Sequence, residues 1–356
     1  MARKNSTPVA QGRRILRVAF CAILFVSYYL LCQHDTPIIS PKRNDNSLSS
    51  ETIGVSGGGG IGGSSNSVST CVVMLLSDRD DDLHNAILAI TSFDHHIQDN
   101  FTTPVLIFNE GNIDMEQQQK LANISTREIM FPYVNFSAYP PEFDPQSEPK
   151  PAFSKRSKFG YQQMCRFWIT RLWTHEAVGE NCNTVMRMDA DSCFWEDIDA
   201  GDPLPGLKLK DQVYGANEIA LEDGRFVHGL WDLTQQYVKE NHLVPLNSEL
   251  YHRAGDTYKK FGRLPSFYNN FEIARVSFFR REDVMNYQTM ITEADPFGVY
   301  RQRWGDAVVR YLTLALFAEP SEIDLKAVPT SYAHGDAKWA RGLNRGCPGL
   351  PIGMLD

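Results

Sequence analysis

The sequence predicts an α/β fold, a mostly parallel sheet covered by helices on both faces, over residues 71–356. Short continuous apolar runs recur, as expected of strands buried on both faces. Segments with apolar residues at helical spacing alternate with them, the mark of a helix-covered parallel sheet. One apolar run ends in an acidic pair, Asp189 and Asp191, which falls where such sheets bind ligands, beyond the carboxyl ends of the strands.

Taken in order, "CVVMLLS" (71–77) is the first strand. "DDLHNAILAITSFDHHI" (81–97) reads as a helix with Leu83, Ile87, Ile90 and Phe93 on one face, and Asp residues in its first turn complement the helix dipole. "TPVLIFNE" (103–110) and "TREIMFP" (126–132) give two more strands, and the five prolines of "PPEFDPQSEPKP" (140–151) mark a surface loop. "YQQMCRFWITRLWT" (161–174) predicts a helix with Met164, Phe167, Trp168 and Leu172 inward. "NTVMRMDAD" (183–191) is the strand that delivers the acidic pair. The same D-x-D spacing recurs at Asp78/Asp80, Asp80/Asp82 and Asp197/Asp199, so place at a strand end, not spacing, singles out Asp189 and Asp191.

The N-terminal region has a different character. A basic tail (1–14, with Arg3, Lys4, Arg13 and Arg14) precedes residues 15–32, which are apolar apart from Arg17 and Ser27. With Arg17 snorkelling, the stretch reaches the lower limit of about 17 residues for a membrane span. The basic flank orients the tail to the cytosol and the bulk of the chain to the lumen. A cleaved signal peptide is the alternative, but no Ala-x-Ala-like site follows the run. The short span suits a thin early-secretory membrane. Residues 33–70, ending in the Gly/Ser-rich "VSGGGGIGGSSNSVST", read as a flexible stem. Sequons at Asn100, Asn123 and Asn135 agree with a lumenal domain. Beyond the anchor stand Cys71, Cys165, Cys182, Cys193 and Cys347, so an oxidising lumen leaves at least one unpaired. The formal net charge of −8 excludes the basic face of a nucleic-acid binder. It also means that an anionic nucleotide would need a cation or local arginines to bind.

Several blocks follow in a specific order: "GYQQMCRFW" (160–168), "MRMDADSCFWEDIDAGDP" (186–203), "YGANEIALED" (214–223), "GLWDLTQQYVKENH" (229–242), "YNNFEIARVSFFR" (268–280), "RQRWGDAVVRYLTLALF" (301–317) and "YAHGD" (332–336). In this order the chain resembles glycosyltransferase family fifteen, the fungal-type Golgi α-1,2-mannosyltransferases, over residues 161–340. The resemblance implies a GT-A fold in a single-pass type II protein of the Golgi membrane. It also implies Mn²⁺ as cofactor and retaining transfer from GDP-mannose to a mannose-terminated glycan. Two positions depart from the family pattern: Asp189-Ala190-Asp191 replaces Glu-Pro-Asp, and Val308 replaces a proline.

Under this resemblance, Asp191 and His334 are expected to ligate the metal; two oxygens of a departing diphosphate need a hard cation, and an imidazole ligand tilts the choice to Mn²⁺. Asp189 is expected at the ribose or a metal water, and Arg187 at a phosphate. Glu272 is the expected catalytic carboxylate, either as nucleophile or as electrostatic support for an oxocarbenium ion. Tyr161, Glu222, Trp304 and Asp306 are expected to contact substrate. Read without the resemblance, His334 is a structural histidine and Asp306 is a helix N-cap. Two rival functions stay open: the same fold with a UDP-sugar donor, and a membrane-anchored sugar binder without turnover.

Overall fold

The computed structural model describes residues 70–77, 79–97, 103–150, 158–194, 197, 211–216, 218–325 and 332–334. The expected anchor (15–32), the stem up to residue 69, the Asn100 sequon and Cys347 lie outside them. No helix among the described residues is long and apolar enough to cross a membrane.

Seven strands form the central sheet: β1 (Thr70–Leu75), β2 (Val105–Phe108), β3 (Ile129–Met130), β4 (Thr184–Met188), β6 (Tyr214–Gly215), β9 (Phe271–Arg275) and β10 (Ile323–Asp324). Their order is β10-β6-β9-β4-β1-β2-β3. The β4-β1-β2-β3 half is parallel, as the apolar runs predict, whereas β9 runs antiparallel to both β4 and β6. The sheet is therefore mixed. A strand buried on both faces has the same apolar pattern in either direction, so the sequence carries no sign of this reversal. Two small sheets complete the fold: β5 (Ser192–Phe194) pairs with β11 (Tyr332–His334), and β7 (Ile219–Leu221) with β8 (Pro265–Phe267), both antiparallel.

Period-two alternation divides the core in two. Val72, Met74, Met186, Met188 and Ile273 face one way and pack on Ile87, Ile90 and Phe93 of helix α1 (Asp80–His96). Cys71, Val73, Val185 and Ala274 face the other way, under helix α2 and helix α3 (Asp306–Phe317). Helix α2 is the continuous run of Gly160–Arg166, the π-helical turn Phe167–Arg171 and Leu172–Thr174. Of the inward residues expected there, Phe167, Trp168 and Leu172 are buried and Met164 is partly buried. Cys71 and Cys182 form a disulfide joining the start of β1 to the entrance of its neighbour β4. Cys193 is also disulfide-bonded, and Cys165 is a buried free thiol.

Candidate active site

The inner strands carry charge on a face that is otherwise apolar. Arg187 of β4 and Glu272 of β9 are cross-strand partners, so both side chains enter the layer between the sheet and α3. Helix α3 meets them with Asp306 and Arg310, four residues apart and hence one above the other on a helix. Arg187 Nη1 donates to Asp306 Oδ2 at 2.5 Å, and Asn269 Nδ2 donates to the same oxygen at 2.9 Å. Arg310 binds Glu272 with both ends of its fork, Nε to Oε2 at 3.0 Å and Nη2 to Oε1 at 3.1 Å, and both side chains are 1% exposed. Trp168 on α2 closes the layer: its ring lies 4.1 Å from the Arg187 guanidinium carbon, and its carbonyl accepts from Arg310.

The row of charges continues toward the strand ends. Arg187 Nε donates to Asp189 Oδ1 at 3.0 Å. His334 Nε2 stands 2.8 Å from Asp191 Oδ1 and 3.6 Å from Asp189 Oδ2. The cause is topological: the β5–β11 pairing sets His334 opposite Ser192, the residue after Asp191. Tyr268 approaches the far ring nitrogen of His334 at 3.4 Å. A close imidazole–carboxylate pair with a second carboxylate beside it is a donor set suited to Mn²⁺. The expected ligands Asp191 and His334 fit that ion, with Asp189 on its flank.

Burial pushes the Asp189 carboxyl above its usual range despite the opposing charges of Arg187 and His334. Asp306 is the more buried of the two, yet Arg187 and Asn269 together outweigh the desolvation and hold it low. Asp306 is thus a carboxylate locked to an arginine. Gly305, not Asp306, is the N-cap of α3.

Tyr161 and Glu222 converge on the backbone just before that helix. A Cβ on Gly305 would lie 3.7 Å from the Tyr161 hydroxyl and 4.0 Å from Glu222 Oε2. Burial raises the Glu222 carboxyl above its usual range. Beside them Arg303 adopts a positive φ of 62°, rare for a non-glycine residue. Its guanidinium carbon lies 4.3 Å from the Tyr161 ring centroid and 4.0 Å from that of Phe226. Such strain concentrates at functional sites.

Three expectations change. Glu272 is buried, and each of its oxygens accepts one hydrogen bond from Arg310; of its two expected roles, this enclosed pairing favours electrostatic support. Arg187 is buried between two carboxylates rather than open to a phosphate. Trp304 is core, not a substrate wall: it is 1% exposed, and its indole N–H donates to the His228 carbonyl. A Cβ on Gly298 would come within 2.2 Å of that pinned ring. Gly298→Ala should therefore cost at least about 1–3 kcal/mol by overpacking, read as a fall in melting midpoint with substrate contacts untouched.

Sequence reasoning missed Asn269, Tyr268, Arg303 and Arg310. The acid–base i, i+4 pair Asp306/Arg310 inside an apolar helix was the available signal for one of them.

A family model described as "Glycolipid 2-alpha-mannosyltransferase" matches residues 44–338. "Probable mannosyltransferase KTR3" of Saccharomyces cerevisiae is 31% identical over 171 residues, covering 47% of this chain and 40% of that protein. "O-glycoside alpha-1,2-mannosyltransferase homolog 2" of Schizosaccharomyces pombe is 23% identical over 255 residues, covering 69% of this chain and 67% of the relative. The chain thus spans 40% of the first relative's length and 67% of the second's. Among solved structures, core-mannan synthase A of Aspergillus fumigatus in its Mn/GDP form superposes with a TM-score of 0.64. That match is 21% identical and covers 82% of this chain and 81% of the other. The shared fold is of GT-A type, with a mixed sheet and helices.

Proposed function

Because the chain belongs to the glycolipid 2-alpha-mannosyltransferase family, we propose that it is a retaining α-1,2-mannosyltransferase using GDP-mannose, Mn²⁺ and a mannose-terminated acceptor. The observation that carries this reading is the Asp191–His334 pair at the carboxyl end of β4, linked through Asp189 and Arg187 to Asp306 and the Tyr161/Glu222 pocket. A bound Mn²⁺ would neutralise the charge that grows on the departing diphosphate.

The chain's own groups do the rest. Asp191 and His334 hold the cation. Arg187 orients Asp189 on one side and Asp306 on the other, so the donor and acceptor ends of the site are built on one side chain. Glu222, kept protonated more readily by burial, and Tyr161 offer hydrogen bonds to sugar hydroxyls. Glu272, with both oxygens on Arg310, is not the attacking group; retention is then served by a same-face ion pair, the departing phosphate taking the acceptor proton. The mannosyl cation is met by the departing phosphate on the same face rather than by a covalent carboxylate.

The setting is proposed as the Golgi membrane, with a single-pass anchor at residues 15–32 and residues 71–356 in the lumen. The cationic flank, the Gly/Ser stem, the disulfide and the Asn123 and Asn135 sequons support it.

Nucleotide choice tests the reading. With Mn²⁺ present, GDP at about 100 times its Kd should stabilise the chain by about 2.7 kcal/mol, a shift of a few degrees. GDP without metal should do less. Stabilisation by UDP in its place would keep the fold and overturn the donor, and no response to either nucleotide would favour a sugar binder without turnover.

A further inference from the structure

Away from this site, the last turn of α1 presents His95 and His96 to Asp197, three residues past the end of β5. His96 is buried and forms the floor, with its Nδ1 at 2.8 Å from Asp197 Oδ1. His95 and Asp197 are exposed, Asp197 with its side chain 67% accessible, so the outward side is open to an entering ion and its water. One ligand atom from each of the three residues lies within 4.8 Å of the others. Among the described residues no other histidine, cysteine or carboxylate trio closes to that span.

We propose that His95, His96 and Asp197 form a second, structural metal site, for a Zn²⁺-class divalent cation. The donor chemistry sets the ion. Two imidazoles and one carboxylate leave a fourth tetrahedral position for water, a set that suits Zn²⁺ and Co²⁺ better than the oxygen-seeking Mg²⁺ or Ca²⁺. Binding replaces the His96–Asp197 hydrogen bond with two metal–ligand bonds and recruits His95, so small side-chain movements close the site.

The position gives the ion a task. The last turn of α1 already grips β5: the Phe194 amide donates to Ser92 Oγ at 3.2 Å, and the Phe93 and Phe194 rings meet edge-on at 5.9 Å. Strand β5 begins one residue after Asp191 and pairs with the strand that carries His334. A cation joining residues 95, 96 and 197 staples the exit of β5 to α1 and so fixes the strand pair that assembles the Asp191–His334 clasp.

The test is metal counting on the full chain, stripped with chelator and dialysed against Zn²⁺, with His95→Ala, Asp197→Asn and His334→Ala in parallel. His95→Ala and Asp197→Asn should each bind about one equivalent less than the parent chain, while His334→Ala keeps that equivalent. Co²⁺ substitution should give the visible bands of a four-coordinate ion in His334→Ala and not in Asp197→Asn. Both altered side chains in the staple are exposed, so the variants should fold, which far-ultraviolet circular dichroism checks. A zinc count unchanged in His95→Ala and Asp197→Asn, or lost only in His334→Ala, overturns the proposal. The outcome is independent of the donor nucleotide, so it is separable from the transferase reading.

Discussion

Asp191→Asn and His334→Ala are each expected to lower mannosyl transfer by at least about 10²-fold, the scale on which losing one electrostatic stabiliser of a developing charge falls. The two residues meet at 2.8 Å through a pairing of short strands, so each holds the other's position as well as a cation. Three features should accompany the loss. The Mn²⁺ requirement for GDP stabilisation should disappear in both variants. Excess Mn²⁺ should recover part of the activity of Asp191→Asn, which keeps an oxygen ligand, but less of His334→Ala. Melting midpoints without ligand should change little, because both side chains are partly exposed. A variant that keeps full Mn²⁺-dependent GDP binding would remove that residue from the metal site. Steady-state transfer assays with a Mn²⁺ titration supply the measurement.

The metal end of the site was legible in the sequence and the interior was not, for a physical reason. Asp189 and Asp191 stand out because a strand end followed by acid in an α/β pattern marks the ligand edge, and the structure places them in the turn just past β4. His334 is 143 residues downstream of Asp191; only the ordered blocks connected them, since the β5–β11 pairing leaves no local mark in so short a strand. Glu272 was singled out by its place in the ordered blocks, since an acid between Phe271 and Ile273 by itself reads as a solvated or capping residue. Its partner is Arg310, which the mostly apolar helix α3 marks only as the i, i+4 neighbour of Asp306 and not as a partner of β9. Charges that pair across two elements are invisible to a one-dimensional reading until the sheet order is known. Likewise the reversal of β9, which sets Glu272 beside Arg187, is silent in the pattern of a strand buried on both faces. Trp304 was expected as a substrate wall, and its burial against Gly298 places it in the core instead.

Glu272→Ala and Arg310→Ala should each destabilise the fold by about 3–5 kcal/mol, the cost of leaving one buried charge without its partner. The pair is 1% exposed on both sides and doubly hydrogen-bonded, so solvent screens neither group in the single variants. The double replacement Glu272→Met/Arg310→Met removes both charges while keeping much of the packed volume. It should therefore lose far less than the two single changes added together, since replacing a buried ion pair by apolar groups is often near neutral. The same cycle decides the catalytic question. A nucleophile would make Glu272→Gln lose turnover wholesale at a temperature where the variant is still folded. A charge held on Arg310 makes Glu272→Gln lose stability first, with turnover of the folded fraction falling by no more than about 10²-fold, the share of one removed electrostatic contribution. Denaturant melts of the parent chain and these four variants, with transfer rates measured well below each midpoint, separate the two. Additive stability losses would break the ion-pair account, and a folded but inert Glu272→Gln would return this residue to the role of attacking group. The arrangement favours the ion-pair outcome, because Arg310 is itself fixed by the Trp168 carbonyl and by the rings of Trp173 and Phe279. Releasing Glu272 to reach a sugar would require unpacking the same layer that holds Arg187 and Asp306 in register.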